Sequence, residues 1–260
     1  MVFDLKSIKK NTSFAAPRVL VYGVEGIGKS TFAAGAPSPV FIQTEDGLGS
    51  LAVDHFPVAT KVSDVLDAIS TLFDGGHDFK TVVIDSLDWL ERLIWDDLCR
   101  QYNVTSIEKV DGGYAKGYTH ALSHWRHLLG LLNRLRVERG MVVLCIAHAR
   151  IEKFEDPEAT AYDRYSPRLH KHACSLVCEW ADAVMFATRK IRVQTEDAGF
   201  NRKRGVAFGI GKDGGERVLR TIGGPSCVAK NRFSLPEQLP LSWPAFMAAF
   251  TNPAQTNVEN

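Results

Sequence analysis

Residues 23–30 read Gly23-Val24-Glu25-Gly26-Ile27-Gly28-Lys29-Ser30: a glycine, four variable positions, then Gly-Lys-Ser. That spacing suits the cradling of phosphate. Glycines permit the turns that aim successive backbone N–H groups at phosphate oxygens. A helix opening at Lys29, Ser30 and Thr31 would add the positive end of its dipole. Lys29 would then pair with the β- and γ-phosphates of ATP, and the Ser30 hydroxyl would ligate Mg²⁺. A second metal ligand is available in Asp85, which closes the apolar run Lys80–Asp85. An acid at that strand end holds Mg²⁺ directly or through water, or else caps the turn that follows.

These residues need a scaffold, and apolar runs supply one. Arg18–Tyr22 leads into the glycine loop; Pro39–Gln43, Lys80–Asp85, Met141–Ala147 and Ala183–Thr188 follow. Each is continuously apolar rather than alternating, as strands buried on both faces of a parallel sheet are. Helical stretches lie between them. Ser63 is placed to N-cap a helix over Asp64–Phe73. Leu122, Trp125, Leu128, Leu129, Leu132 and Leu135 recur at helical spacing within residues 117–136, and Gly140 stops that helix. The alternation predicts an α/β fold with a doubly wound, mainly parallel sheet. A β-hairpin is expected from Arg204 onward, turning at Asp213-Gly214-Gly215. Residues 1–16 read as an N-terminal extension, 17–253 as a single core, and 254–260 as a polar, frayed tail.

Composition narrows the class. Hydrophobic residues make up 45% and charged residues 23%, an ordinary globular balance. No apolar run reaches the roughly 18 residues of a membrane span, and the N-terminus lacks a secretory pattern. The five cysteines are scattered, which fits a reducing, cytoplasmic setting without membrane attachment. Net charge is +1, so the chain as a whole is not a basic nucleic-acid binder. The charge is nevertheless uneven: residues 41–100 hold 12 acidic and 4 basic side chains, residues 187–232 hold 4 acidic and 11 basic. The basic half could face a polyanion, a neighbouring subunit's acidic face, or simply solvent.

The motifs, taken in order, resemble those of RecA-type recombinases. The run Val82–Leu90, with Asp85-Ser86 at its centre, is similar to the second nucleotide motif of that family. The segment FIQTEDG resembles the recombinase strand that delivers a catalytic glutamate; Glu45, sixteen residues past Lys29, is the matching position. A carboxylate there would orient the attacking water as general base, unless it is an ordinary loop acid. His148, in CIAHAR, occupies the place of a polar residue that senses the γ-phosphate, though local hydrogen bonds could equally account for a histidine there. CVAKNRFSLP is similar to the segment whose two cations reach the ATP of the neighbouring subunit, here Lys230 and Arg232.

The resemblance runs over roughly residues 17–240. The chain's size looks most like that of compact bacteriophage single-strand annealing proteins of the Sak-four type. Membership would imply a RecA-like core, ATP and Mg²⁺ shared between subunits of a ring or filament, single-stranded DNA as ligand, and a single-strand DNA-binding protein as partner. Two segments are candidate DNA loops. Residues 108–118 are glycine-rich and carry Tyr114 and Lys116. Residues 150–171, expected as a long mobile loop, carry Arg150, Lys153, Arg164, Arg168 and Lys171. Arg202-Lys203-Arg204 forms a third cluster, read as an exposed hairpin end. His170, His172, Cys174 and Cys178 are zinc-ligand types at an unusual spacing, read as packing residues. A DNA motor (helicase or packaging ATPase) and a protein-directed ATP switch are the competing functions.

Overall fold

The computed structural model describes residues 15–251 except 159, 198–202 and 211–213. Most of the N-terminal extension, the C-terminal tail, Arg202 and Asp213 thus lie outside the described residues. A ten-stranded sheet is the frame. Its parallel centre consists of β1 (Arg18–Gly23), β2 (Pro39–Gln43), β4 (Thr81–Asp85), β5 (Val142–Phe154) and β7 (Ala183–Arg189). Their spatial order is β7-β1-β5-β4-β2, with the two-residue β3 (Asp54–His55) beyond β2. On the other flank, β10 (Arg217–Arg220) runs antiparallel to β7, and β12 (Gln238–Pro240) antiparallel to β10. The five expected apolar runs are the five central strands.

Side-chain alternation along each buried strand divides the core. Leu20, Tyr22, Ile42, Ile84 and Cys145 face one layer of helices: α2 (Val62–Asp74), α3 (Leu87–Gln101), α4 (Lys116–Glu138) and α5 (Lys171–Trp180). Val19, Val21, Phe41, Val83 and Ile146 face the other, where α1 (Lys29–Ala34) and α6 (Trp243–Thr251) pack. Both faces are therefore covered, which is why the strands read as unbroken apolar runs. Trp125, Leu128, Leu129, Leu132 and Leu135 of α4 are buried in the first layer, and Leu122 is partly exposed. Gly140, one residue past the helix C-cap, takes φ 67°.

Three expectations require correction. Ser63 is not the N-cap of α2; the helix begins at Val62 with Lys61 as cap, and the Asp64 carboxylate accepts the N–H groups of Thr60 and Lys61. The segment 150–171 is not a long loop. β5 continues to Phe154 and pairs antiparallel with β6 (Tyr162–Pro167). Cross-strand partners explain it: Glu152 stands opposite Arg164, Lys153 opposite Asp163, and Phe154 opposite Tyr162. Mixed charge that reads as loop in one dimension is paired charge in a ladder. Finally, the C-terminal hairpin exists but lies earlier, between β8 (Ile191–Asp197) and β9 (Lys203–Gly209). The strand after Gly214-Gly215 is β10, which leaves β9 and joins β7 instead.

Candidate functional site

β1 ends at Gly23, whose register neighbours are His148 on β5 and Ala187 on β7. A side chain at Gly23 would meet the Ala187 carbonyl oxygen at 2.5 Å, so only glycine fits between these strands. The chain then turns through Gly26 at φ 71° and Gly28 at φ 107°, both in the left-handed region, and α1 opens at Lys29. The Lys29 ammonium lies inside the loop and donates to the carbonyls of Gly23 and Val24, each at 3.0 Å. Burial lowers its pKa, opposed by the nearby carboxylates Asp85, Asp88, Glu45 and Glu25.

Sheet register gathers the remaining groups at the carboxyl ends of the strands, where open α/β sheets bind ligands. Gln43 stands opposite Asp85, and Asp85 opposite Ile146. The ends of β2 and β4 are locked together. The Thr44 hydroxyl donates to the Ser86 carbonyl at 2.6 Å and accepts the Ser86 N–H at 2.9 Å. The Ser86 hydroxyl in turn donates to the Glu45 carboxylate at 2.6 Å. The Ser30 hydroxyl donates to the Asp85 carboxylate at 2.7 Å. Burial pushes the Asp85 carboxyl up, and the Ser30 hydrogen bond opposes this. A cleft of about 290 Å³ results, with Glu25, Lys29, Ser30, Thr31, Glu45, Asp85, His148 and Arg217 among its walls. A hydroxyl and a carboxylate within hydrogen-bond reach are hard oxygen donors, the set that Mg²⁺ prefers. The glycine loop, the lysine and this donor pair fit a nucleotide phosphate chain with its metal.

A buried carboxylate beside the cleft was not legible in the sequence. Asp88, in the first turn of α3, is buried and bridges two residues, His148 and Arg168. It accepts the His148 backbone N–H at 2.9 Å, lies 3.0 Å from His148 Nδ1, and accepts Arg168 Nη2 at 2.8 Å. Although burial alone would raise its pKa, these donors hold the carboxyl well below the usual range. Arg168 reaches on to Glu25 of the phosphate loop at 3.3 Å. His148 also stands 3.8 Å from Glu45. An aspartate three residues past Asp85, at a helix N-terminus, was the available signal.

The candidate DNA residues are distributed differently. Arg150 and Arg164 both hold Glu152, at 3.0 and 2.9 Å, so the hairpin neutralises part of its own charge. Lys171 lines a separate cleft with Arg150, Arg164 and Cys174. Lys153 is exposed on the hairpin. Tyr114 is 96% exposed, and Lys116 pairs with Asp111 at 3.5 Å; neither lines the phosphate cleft. Lys230, on β11 (Lys230–Asn231), donates to the carbonyls of Cys178, Glu179 and Ala181 at the end of α5. Arg232 holds Asp182 at 3.3 Å and is half exposed. The His170 ring stacks on Tyr118 at 4.0 Å. Among the described residues no group of three or more His, Cys, Asp or Glu side chains is arranged to hold a metal ion, and no helix is long and apolar enough to cross a membrane.

Comparison with known proteins places this geometry. The chain is similar to the SPbeta prophage-derived uncharacterized protein YorG of Bacillus subtilis (strain 168), with 22% identity over 172 residues. That alignment covers 65% of this chain and 49% of YorG, so the chain spans about half the length of this relative. Among solved structures it is similar to the flagellar accessory protein FlaH from Methanocaldococcus jannaschii, at 13% identity and a TM-score of 0.44, over 86% of this chain and 84% of that one. The model of the AAA domain family matches residues 15–233. Because that match spans most of the chain, the chain belongs to the AAA domain family and carries a P-loop ATPase domain.

Proposed function

We propose that this ATPase domain binds single-stranded DNA and anneals or pairs strands in phage homologous recombination, with ATP sites completed between subunits. One observation carries the link from nucleotide to DNA. The β5–β6 hairpin leaves the cleft at His148 and returns beside it at Arg168, which touches both Asp88 and Glu25, the latter a wall of the cleft. A single hairpin thus joins the phosphate loop to a surface bearing Arg150, Lys153 and Arg164. The similarity to a prophage-derived protein supports a phage setting, and therefore the cytoplasm of a bacterial host.

In this reading Lys29 and the loop N–H groups hold the phosphates. Mg²⁺, held by Ser30 and Asp85, would neutralise charge on the β- and γ-phosphates. Glu45, fixed by the Ser86 hydroxyl, orients a water and takes its proton. His148, oriented by Asp88, reports the occupant of the cleft to the hairpin. Lys230 and Arg232 follow β7's amino end, since Lys230 pairs with Val184 and Asn231 with Ala183. That is the end of the strands opposite the phosphate loop. Head-to-tail packing of identical subunits would bring one end to the other, closing a ring or extending a filament. A single-strand DNA-binding protein would present the substrate.

Filter binding to labelled single strands at rising salt tests the proposal. We expect affinity that falls steeply with salt as phosphate contacts release counterions. No binding at low salt would overturn it. Directional strand displacement in a helicase assay would favour a motor instead.

A further inference from the structure

The cleft has two sides, and sheet order tells them apart. Glu45 follows β2, Asp85 ends β4 and His148 lies on β5, all to one side of β1. On the other side of β1 stand β7, β10 and β12. There Arg217, the first residue of β10, brings Nη1 to 3.1 Å from where a side chain at Gly28 would begin; Leu241 follows at 3.6 Å. Arg217 therefore lies against the phosphate loop itself. Among the described residues its guanidinium makes no hydrogen bond or ion pair, whereas Arg18, Arg150, Arg164, Arg168 and Arg232 all hold carboxylates. An unpaired guanidinium beside a phosphate loop is a phosphate ligand in waiting.

Arg217 is also a wall shared by two spaces. Behind it opens a second cleft of about 420 Å³, bounded by Lys190, Glu216, Gln238, Leu239 and Pro240. Pockets that take small organic ligands combine apolar walls with a few polar groups that fix orientation. Here Leu239 and Pro240 supply apolar surface, Gln238 supplies an amide donor and acceptor, and Lys190 and Glu216 pair at 3.0 Å.

Resting on the reading of the first cleft as an ATP site, we propose that the β10–β12 cleft receives the nucleoside, and that Arg217 grips the phosphate chain where it passes between the two spaces. The carboxylate-lined side of β1 then faces the terminal phosphate, and the β10 side faces the base and ribose. Arg217 is thus a cis ligand, separate from the cations proposed to act across subunits.

Equilibrium binding of ATP and of inorganic tripolyphosphate to the full chain tests this, with folding checked by circular dichroism. Lys29→Ala should weaken both ligands, and if it weakens neither, the phosphate-loop reading itself fails. Arg217→Ala should weaken both by about tenfold or more, the loss of a charged hydrogen bond. Gln238→Trp, which fills the second cleft, should weaken ATP about tenfold and leave tripolyphosphate within about twofold. If Lys29→Ala behaves as expected while ATP binding is unchanged in Arg217→Ala or Gln238→Trp, the proposal falls and the ATP site stands. Photolabelling the unmodified protein with 8-azido-ATP needs no variant. ATP-protected labelling should map to residues 214–241, and labelling confined to another segment would overturn the nucleoside assignment.

Discussion

At the scale of single residues, the cleft shows how much hydrogen bonding decides which carboxylate does what. Glu45 is held by the Ser86 hydroxyl and Asp85 by the Ser30 hydroxyl, so two nearby acids have different partners, and in the proposed reading one orients water while the other holds the metal. Glu45→Gln should keep ATP binding while turnover falls about a hundredfold or more, the usual worth of a general base; full turnover would assign the base elsewhere. Glu91 offers a pH test. It is 4% exposed, and burial pushes its carboxyl up to about 7 despite the His170 N–H at 2.8 Å. Folding therefore takes up a proton between the ordinary value of 4.5 and about 7. This group favours the folded chain at low pH and costs it up to about 3 kcal/mol as pH rises through about 7. Glu91→Gln should lessen the fall in melting temperature between about pH 5.5 and pH 8; an unchanged fall would contradict the buried proton. The phosphate loop, Asp85 and Glu45 were legible as candidates because each stands at, or just past, the end of a recognisable strand. Asp88 and Arg217 were not, since their meaning depends on neighbours 60 and more residues away in the chain.

At the scale of elements, the sequence was read well where burial is uniform and poorly where it is not. The five central strands announce themselves as continuous apolar runs. The outer half of β5 has alternating exposure and charged side chains, and its strand character resides in its partner: Glu152 against Arg164, Lys153 against Asp163. The strands β3, β10, β11 and β12 have two to four residues each, too few for any period to show. The hairpin can be tested by shortening. Glu152 and Arg164 face each other, so an Asn-Gly turn can replace residues 153–163 and close a two-residue loop. We expect ATP binding to persist and single-strand affinity to fall about tenfold. Unchanged affinity in filter binding would place the DNA elsewhere.

At the scale of the whole molecule, the phosphate loop and the Lys230–Arg232 segment occupy opposite ends of the strands β1 and β7. A subunit cannot bring its own Arg232 to its own cleft without refolding the sheet. Mixing Arg232→Ala with Lys29→Ala subunits should therefore restore part of the turnover that each lacks alone. Failure in proven mixed oligomers would show that the cation serves its own chain's stability, through Asp182, and nothing more. The sequence could place these cations in order along the chain, but not at an end of the sheet, because position in a sheet is set by strand order.

The edges of that sheet have a consequence of their own. One margin is β3, two residues long, and the other is β12, three residues ending in Pro240. Proline has no N–H to offer, and strands this short present almost no ladder to a passing chain. At these two margins a second copy finds almost no backbone ladder to stack on; the longer outer strands are those of the hairpins β5–β6 and β8–β9. Contacts made at the margins fall to side chains, whose grip can be loosened by salt and made again.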